Sequence, residues 1–234
     1  MTHVRSHRLA WTGFTALALL LLPACRRDGE RPQSGSEITV AVAQALTVTP
    51  TGFVDEQVVG SLSNPTAMAF TPDGRLLVAL QGGQLRVIKN GALLTTPFLT
   101  VSVNSAGERG LVGVAVDPNF ATNNFVYVYY TQSASPIHNR IVRYTAAGDV
   151  ASGATLNVLD LETLSTATNH NGGAMHFGPD GKLYVAVGEN ANSANAQSIS
   201  NRLGKMLRIN SDGTIPINNP FFGAPPQLTT PSGR

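Results

Sequence analysis

Cysteine and charged residues are both scarce in this chain of 234 residues. Cys25 is the single cysteine, and only 13% of the residues are charged. One cysteine forms no disulfide within the chain, and no group of residues has the spacing of a zinc site. Few charges, 23 glycines and 14 prolines are typical of many turns and short elements rather than long amphipathic helices.

A surplus of charge of either sign is absent as well. The formal net charge is +2. Without residues 1–24, which contain Arg5 and Arg8, the chain has 14 basic and 14 acidic residues. Binding to nucleic acid through its phosphates needs a basic surplus on one face of the protein. We therefore expect no nucleic-acid partner.

The first 25 residues have the pattern of an export signal. A basic start precedes an apolar run over residues 9–22, and Ala24 stands before Cys25. This pattern predicts a secretory signal over residues 1–24, and the run is shorter than the ~18–20 residues of a membrane-spanning helix. The position of Cys25 resembles the lipobox of bacterial lipoproteins, in which the cysteine is acylated.

We therefore expect an exported protein, periplasmic or at the cell surface, attached to the membrane only by a lipid on Cys25. A simple signal peptide with an incidental cysteine is the alternative. Residues 25–52 are predicted to hold the lipid-anchor cysteine and a tether, and residues 53–234 to hold the folded domain.

One phrase occurs twice in the sequence and indicates the fold. Residues 68–80 read MAFTPDGRLLVAL and residues 175–187 read MHFGPDGKLYVAV, with a looser copy over residues 114–130. Each copy predicts two strands and a tight turn, because proline presets φ, aspartate bonds its own backbone and glycine accepts a positive φ. The turn aspartates Asp73, Asp180 and Asp212 are accordingly expected to be structural.

Repeats of about 40–50 residues with several short strands are typical of propeller blades. A third strand, residues 84–88, follows the first copy. Inner strands of a blade are buried on both faces, which explains unbroken apolar runs such as residues 76–80. We predict an all-β propeller with about three blades in this chain, and a β-sandwich is the alternative.

Three blades do not close a ring that usually has 4–8, and an open propeller would expose a long sheet edge. Residues 225–234 read as a loop. We therefore expect the N-terminal part of a longer propeller, and the alternative is an oligomer that completes the ring.

The segment 169–173, NHNGG, opens the strand of the last hairpin copy. Its glycines permit close backbone approach, and such loops commonly hold ligands. His170 is the candidate functional residue, with a local loop hydrogen bond as the alternative. Glu189 and Asn190 follow the next strand and are expected either to contact substrate or to cap the loop. Glu108 and Arg109 are expected to form an ion pair or to contact substrate.

Two other histidines and the strand tyrosines have structural interpretations. His176 is expected to pack within its strand, and His138 to lie at the surface. Tyr127, Tyr129 and Tyr130 are expected in the core and at its rim.

Three motifs in order resemble the soluble glucose and sorbosone dehydrogenase family, whose bacterial members include aldose sugar dehydrogenases. The first is GERGLVG at residues 107–113, the second is NHNGG with GEN at residues 188–190, and the third is LGKMLRIN at residues 203–210. The resemblance covers residues 53–222. It implies a six-bladed propeller that binds pyrroloquinoline quinone beside a calcium ion.

The resemblance also implies roles for individual residues. His170 falls on the catalytic histidine, a general base on the C1 hydroxyl of an aldose whose hydride passes to the quinone. Asn169 falls on a position near that histidine where some members carry aspartate, and Glu108 on a position where a glutamine lines the sugar site. The identity of the sugar therefore stays open. The residues that bind the quinone are expected beyond Arg234, so we expect no activity from this chain alone, and the calcium ligands and electron acceptor are unassigned.

Two other functions remain open at this point. A lactonase-type propeller hydrolase shares the Pro-Asp-Gly hairpins and would use a metal held by carboxylate and asparagine side chains. A non-catalytic surface propeller would bind carbohydrate or a protein partner.

Overall fold

Twelve strands in three antiparallel sheets form the framework of the part that the computed structural model describes, residues 49–223. Residues 53–223 belong to one compact unit. The predicted export signal, Cys25 and most of the predicted tether lie outside the described residues. Neither short helix in the described part has the length and apolar character needed to cross a membrane.

Each sheet is built from strands that follow one another along the chain. The first sheet contains β1 (Pro65–Phe70), β2 (Leu76–Leu80), β3 (Gln84–Lys89), β4 (Ala92–Leu93) and β5 (Leu99–Thr100). The second contains β6 (Leu111–Val116), β7 (Phe125–Thr131), β8 (His138–Ala147) and β9 (Val150–Thr163). The third contains β10 (Gly172–Phe177), β11 (Leu183–Val187) and β12 (Met206–Ile209). The helices are α1 (Phe120–Asn123), between β6 and β7, and α2 (Ser193–Gln197), between β11 and β12.

The two close copies of the hairpin are confirmed, and their turn aspartates are structural. The looser copy also forms two paired strands, but helix α1 lies between them in place of a tight turn. Asp73 accepts a hydrogen bond from Arg75 Nε at 3.0 Å, Asp180 from the Lys182 amide at 3.1 Å, and Asp212 from the Thr214 amide at 3.0 Å. These bonds close each turn locally, as expected for aspartate beside glycine.

Successive side chains of β7 enter two different cores. Val126, Val128 and Tyr130 lie in the cluster shared by the first and second sheets. Tyr127 and Tyr129 lie in the cluster shared by the second and third sheets. Because side chains alternate along a strand, both faces of the middle sheet are buried. This burial explains the unbroken apolar runs and confirms that the tyrosines belong to the core.

The first strands of the three sheets approach one another closely. Thr66 Oγ1 on β1 donates to Leu111 O on β6 at 2.7 Å. A Cβ atom at Gly113 on β6 would overlap Gly173 O on β10. Sheets packed face to face, with their first strands adjacent, form a propeller-like arrangement. The all-β prediction is confirmed, and the number of blades in the whole protein stays a prediction.

Two histidine predictions are wrong. His138 is only 9% exposed, because its ring nitrogens face Pro136 O at 2.8 Å and Asp160 Oδ1 at 3.0 Å, and satisfied polar groups can be buried. His176 is exposed, because Met175 takes the core-facing position of β10 and the next side chain must point the other way.

Candidate active site

Three loops meet at one end of the second and third sheets. The loop before β10 and the loop after β11 lie at the same edge, because Gly172 pairs with Val187 in this antiparallel hairpin. The loop before β6 joins them through the Glu108 amide, which donates to Thr168 O at 2.9 Å. The sites predicted from the sequence in three separate segments are therefore brought together.

His170 lies where these loops meet, and its backbone and Nδ1 are hydrogen-bonded to the other two loops. Its backbone amide donates to Glu108 Oε2 at 2.7 Å, and its carbonyl accepts from the Asn190 amide at 3.1 Å. Its Nδ1 is hydrogen-bonded to Glu189 Oε1. A Cβ atom at Gly188 would overlap the His170 carbonyl, so only glycine permits this approach.

The backbone of His170 is itself unusual. Its φ is 57°, in the left-handed region that side chains other than glycine rarely adopt. Asn190 has a φ of 54° and lies in the opposite loop. Such conformations persist where the surroundings impose them, and they cluster at functional sites. The contacts of His170 with Glu108 and Asn190 provide that constraint.

The carboxylate of Glu189 sets the protonation of the imidazole. A carboxylate only accepts hydrogen bonds, so Nδ1 is the donor and Nε2 is left with its lone pair in the neutral ring. Nε2 has no hydrogen-bond partner within residues 49–223, and the side chain is half exposed. The hydrogen bond and charge of Glu189, with a smaller effect of Glu108, raise the pKa of His170 above its ordinary value. The group is therefore placed to accept a proton from a bound molecule.

The other predicted site residues take different positions. Asn190 is buried, with Oδ1 accepting from the Ser165 amide at 2.7 Å and Nδ2 donating to Ala167 O at 3.0 Å. Asn169 is partly buried, and its side chain makes no hydrogen bond within the described residues. A substrate contact for Asn190, Asn169, Glu108 or Glu189 stays a prediction.

Glu108 and Arg109 do not pair with each other. Glu108 is exposed and turned to His170, whereas Arg109 is buried and donates to backbone carbonyls of the loop before β10. The predicted ion pair between them is therefore wrong, because the Glu108 carboxylate is bound to the His170 amide and the Arg109 guanidinium to two backbone carbonyls.

One supporting residue was missed by the sequence analysis. Asn171 is buried, and its carbonyl accepts from Tyr129 Oη at 2.8 Å. Its side chain donates to Thr168 O at 3.0 Å. Asn171 belongs to the predicted NHNGG segment, and a second polar side chain beside a candidate histidine is the signal that could have singled it out.

The model of the Glucose / Sorbosone dehydrogenase family matches residues 62–230. The chain belongs to this family. The name of the family describes sugar dehydrogenases, which supports a sugar oxidoreductase at the level of the family.

Three relatives illustrate the range of similarity. The aldose sugar dehydrogenase YliI of Escherichia coli is 32% identical over 189 residues, which cover 78% of this chain and 51% of the relative. The structure of a glucose dehydrogenase from Thermus thermophilus, described as a candidate oxidoreductase, has a TM-score of 0.67 at 37% identity. The match covers 72% of this chain and 50% of that structure. The structure of the quinone-bound aldose sugar dehydrogenase of Streptomyces coelicolor has a TM-score of 0.63 at 33% identity. The match covers 73% of this chain and 51% of that structure.

The chain spans about half the length of the curated relatives it matches. Within residues 49–223, the side chains near His170 provide an imidazole beside a carboxylate, but not the free cations that the carboxylates of pyrroloquinoline quinone would need. Pyrroloquinoline quinone carries three carboxylates, whereas Glu108 and Glu189 are acidic. The nearby cations are engaged, Arg202 with Glu162 and Lys205 with backbone carbonyls. In this described part, no group of three or more histidine, cysteine or acidic side chains could hold a metal.

Proposed function

We propose that this chain carries the catalytic base of a dehydrogenase that oxidises aldoses at C1 with pyrroloquinoline quinone as cofactor. The observation that carries the proposal is the geometry of His170 in a sugar dehydrogenase family: Nδ1 is held by Glu189, and Nε2 is left to accept a proton. The quinone, when bound, supplies the acceptor for the hydride.

The roles of the protein side chains follow from this geometry. His170 Nε2 accepts the proton of the C1 hydroxyl, which makes the hydrogen on C1 easier to lose as hydride. Glu189 keeps the ring in the tautomer that can act as a base and stabilises the imidazolium that forms. The Glu108 carboxylate fixes the backbone of His170 by accepting a hydrogen bond from the His170 amide.

The rest of the cofactor site is proposed to lie outside residues 49–223, in a six-bladed ring. A cavity of about 420 Å³ on the third sheet supports a further sheet there. Its lining includes Met206 and Phe221, which are 68% and 71% exposed, and large exposed apolar surfaces mark interfaces.

The protein expressed from its complete reading frame tests this function. After loading with pyrroloquinoline quinone and Ca²⁺, it is expected to reduce an artificial dye when an aldose is added, and the protein without quinone is not. A protein shown to have bound the quinone, yet without turnover across a broad aldose panel, would exclude the dehydrogenase. Lactone cleavage that needs a divalent metal and no quinone would support the hydrolase instead.

The pH dependence of turnover tests the pair formed by His170 and Glu189. A general base works only when neutral, so activity rises as the pH passes upward through its pKa. Because Glu189 raises that pKa, Glu189→Gln is expected to move the acidic limb of kcat/KM to lower pH. The measurement is a pH–rate profile of both proteins.

Asp180→Asn is the matched control, since Asp180 is also an ion-paired carboxylate of the third sheet but pairs with Arg208. Its acidic limb is expected to stay in place. An unmoved limb in Glu189→Gln would show that the observed titration does not belong to His170.

A further inference from the structure

We propose that Arg109 is a positioning residue for the base: from the loop before β6, it holds the backbone of the loop that carries His170. The kinetic part of this inference rests on the proposed function, and its structural part does not. Arg109 touches neither the imidazole nor the proposed substrate position, so any effect on catalysis passes through the loop at residues 165–169.

The guanidinium of Arg109 joins two carbonyls of that loop. Nη2 donates to Ser165 O at 2.8 Å and to Ala167 O at 2.9 Å. Arg109 is 5% exposed, so solvent does not replace these bonds. A buried carbonyl left without a donor is costly, and the loop is therefore expected to move when Arg109 is removed.

Asn190 completes the same arrangement from the other side. Ala167 O accepts from both Arg109 Nη2 and Asn190 Nδ2. The Ser165 carbonyl accepts from Arg109, and the Ser165 amide donates to Asn190 Oδ1. The Asn190 amide also donates to His170 O. Arg109 and Asn190 therefore both hold the loop at residues 165–169, and Asn190 is also hydrogen-bonded to His170.

The loop that carries Arg109 is itself fixed to the first sheet. Gln81 Nε2 donates to Gly107 O at 2.6 Å and to Arg109 O at 3.0 Å. A Cβ atom at Gly107 would overlap Thr168, and one at Gly110 would overlap Gln81 O. The loop that carries Arg109 therefore connects the first sheet to the loop that carries His170.

Arg109→Met tests the proposal, because methionine keeps apolar volume and removes the donors. We expect the His170–Glu189 pair to loosen, so that the pKa of His170 falls toward that of an ordinary histidine. We expect kcat to fall by the order of 10- to 100-fold with little change in KM, since small displacements of a reacting group are costly. The pKa is read from the imidazole proton signals in NMR, assigned with His170→Gln.

Arg86→Met is the matched control. Arg86 is partly buried, and like Arg109 it donates from Nη2 to a backbone carbonyl, Leu94 O at 2.6 Å, and buries an Nε without a partner. It lies within the first sheet. We expect Arg86→Met to lower stability while the pKa of His170 and kcat stay at the parent values.

The outcomes separate the possible failures. If Arg109→Met lowers stability as Arg86→Met does but leaves the pKa of His170 unchanged, the positioning role is wrong. If the pKa moves while no form of the protein oxidises aldoses, positioning stands and the proposed function fails. Should Arg109→Met not fold, Arg109→Gln carries the same test, because its side chain is two bonds shorter than that of arginine and brings no donor to the two carbonyls.

Discussion

Replacing His170 with glutamine is expected to lower kcat of the quinone-loaded full-length protein by about 10²–10⁴-fold, the usual contribution of a general base. KM for the aldose is expected to change little, because Nε2 acts on the proton in the transition state rather than on binding. Glutamine fills a similar volume on this half-exposed loop. Steady-state kinetics with a dye acceptor measure both constants.

His176→Gln provides the comparison, because His176 is the other histidine of the third sheet and is exposed. It lies farther along β10 than the loop that carries His170. Its kcat is expected to match the parent. Equal losses in both variants, or no loss in His170→Gln, would remove His170 from the mechanism and leave its loop a structural feature.

Gly113→Ala is expected to destabilise the fold by about 1–3 kcal/mol or more, as overpacking in a tight interior does. The added Cβ would overlap Gly173 O and lie 3.0 Å from the Tyr129 Cβ. The φ of Gly113 is not in the left-handed region, so the cost comes from the contact and not from the backbone conformation. Urea unfolding followed by circular dichroism measures the change.

Gly82→Ala is the control for that experiment. Its φ is also ordinary, and a Cβ there would meet no atom within 4 Å. Alanine at such a position is expected to be neutral or to stabilise by up to about 1 kcal/mol, because the unfolded chain loses freedom. Equal stabilities of Gly113→Ala and the parent would mean that β6 and β10 are not packed as closely as described.

The hairpins could be predicted because their determinants are local. Pro72, Asp73 and Gly74 close a turn that needs nothing from the rest of the chain. The wrong prediction for His138 depends on a distant partner. His138 is buried only because Asp160, across the β8–β9 pair, is hydrogen-bonded to it, and no spacing in the sequence announces that partner.

The candidate site also combines a residue with a local signal in the sequence and residues whose roles depend on distant contacts. His170 could be singled out because its own segment carries the signal. The role of Glu189 could not, because 19 residues separate it from the histidine and only the antiparallel pairing of β10 and β11 brings them together. Arg109 is more distant still, and its burial, rather than its charge, decides what it does.

The alternation along β7 has a thermodynamic consequence. The strand gives one side chain to the first interface and the next to the second, as Val128 and Tyr129 do. Neither interface can open without exposing apolar groups of a strand that also belongs to the other. The three sheets are therefore expected to unfold together as one cooperative unit rather than one sheet at a time.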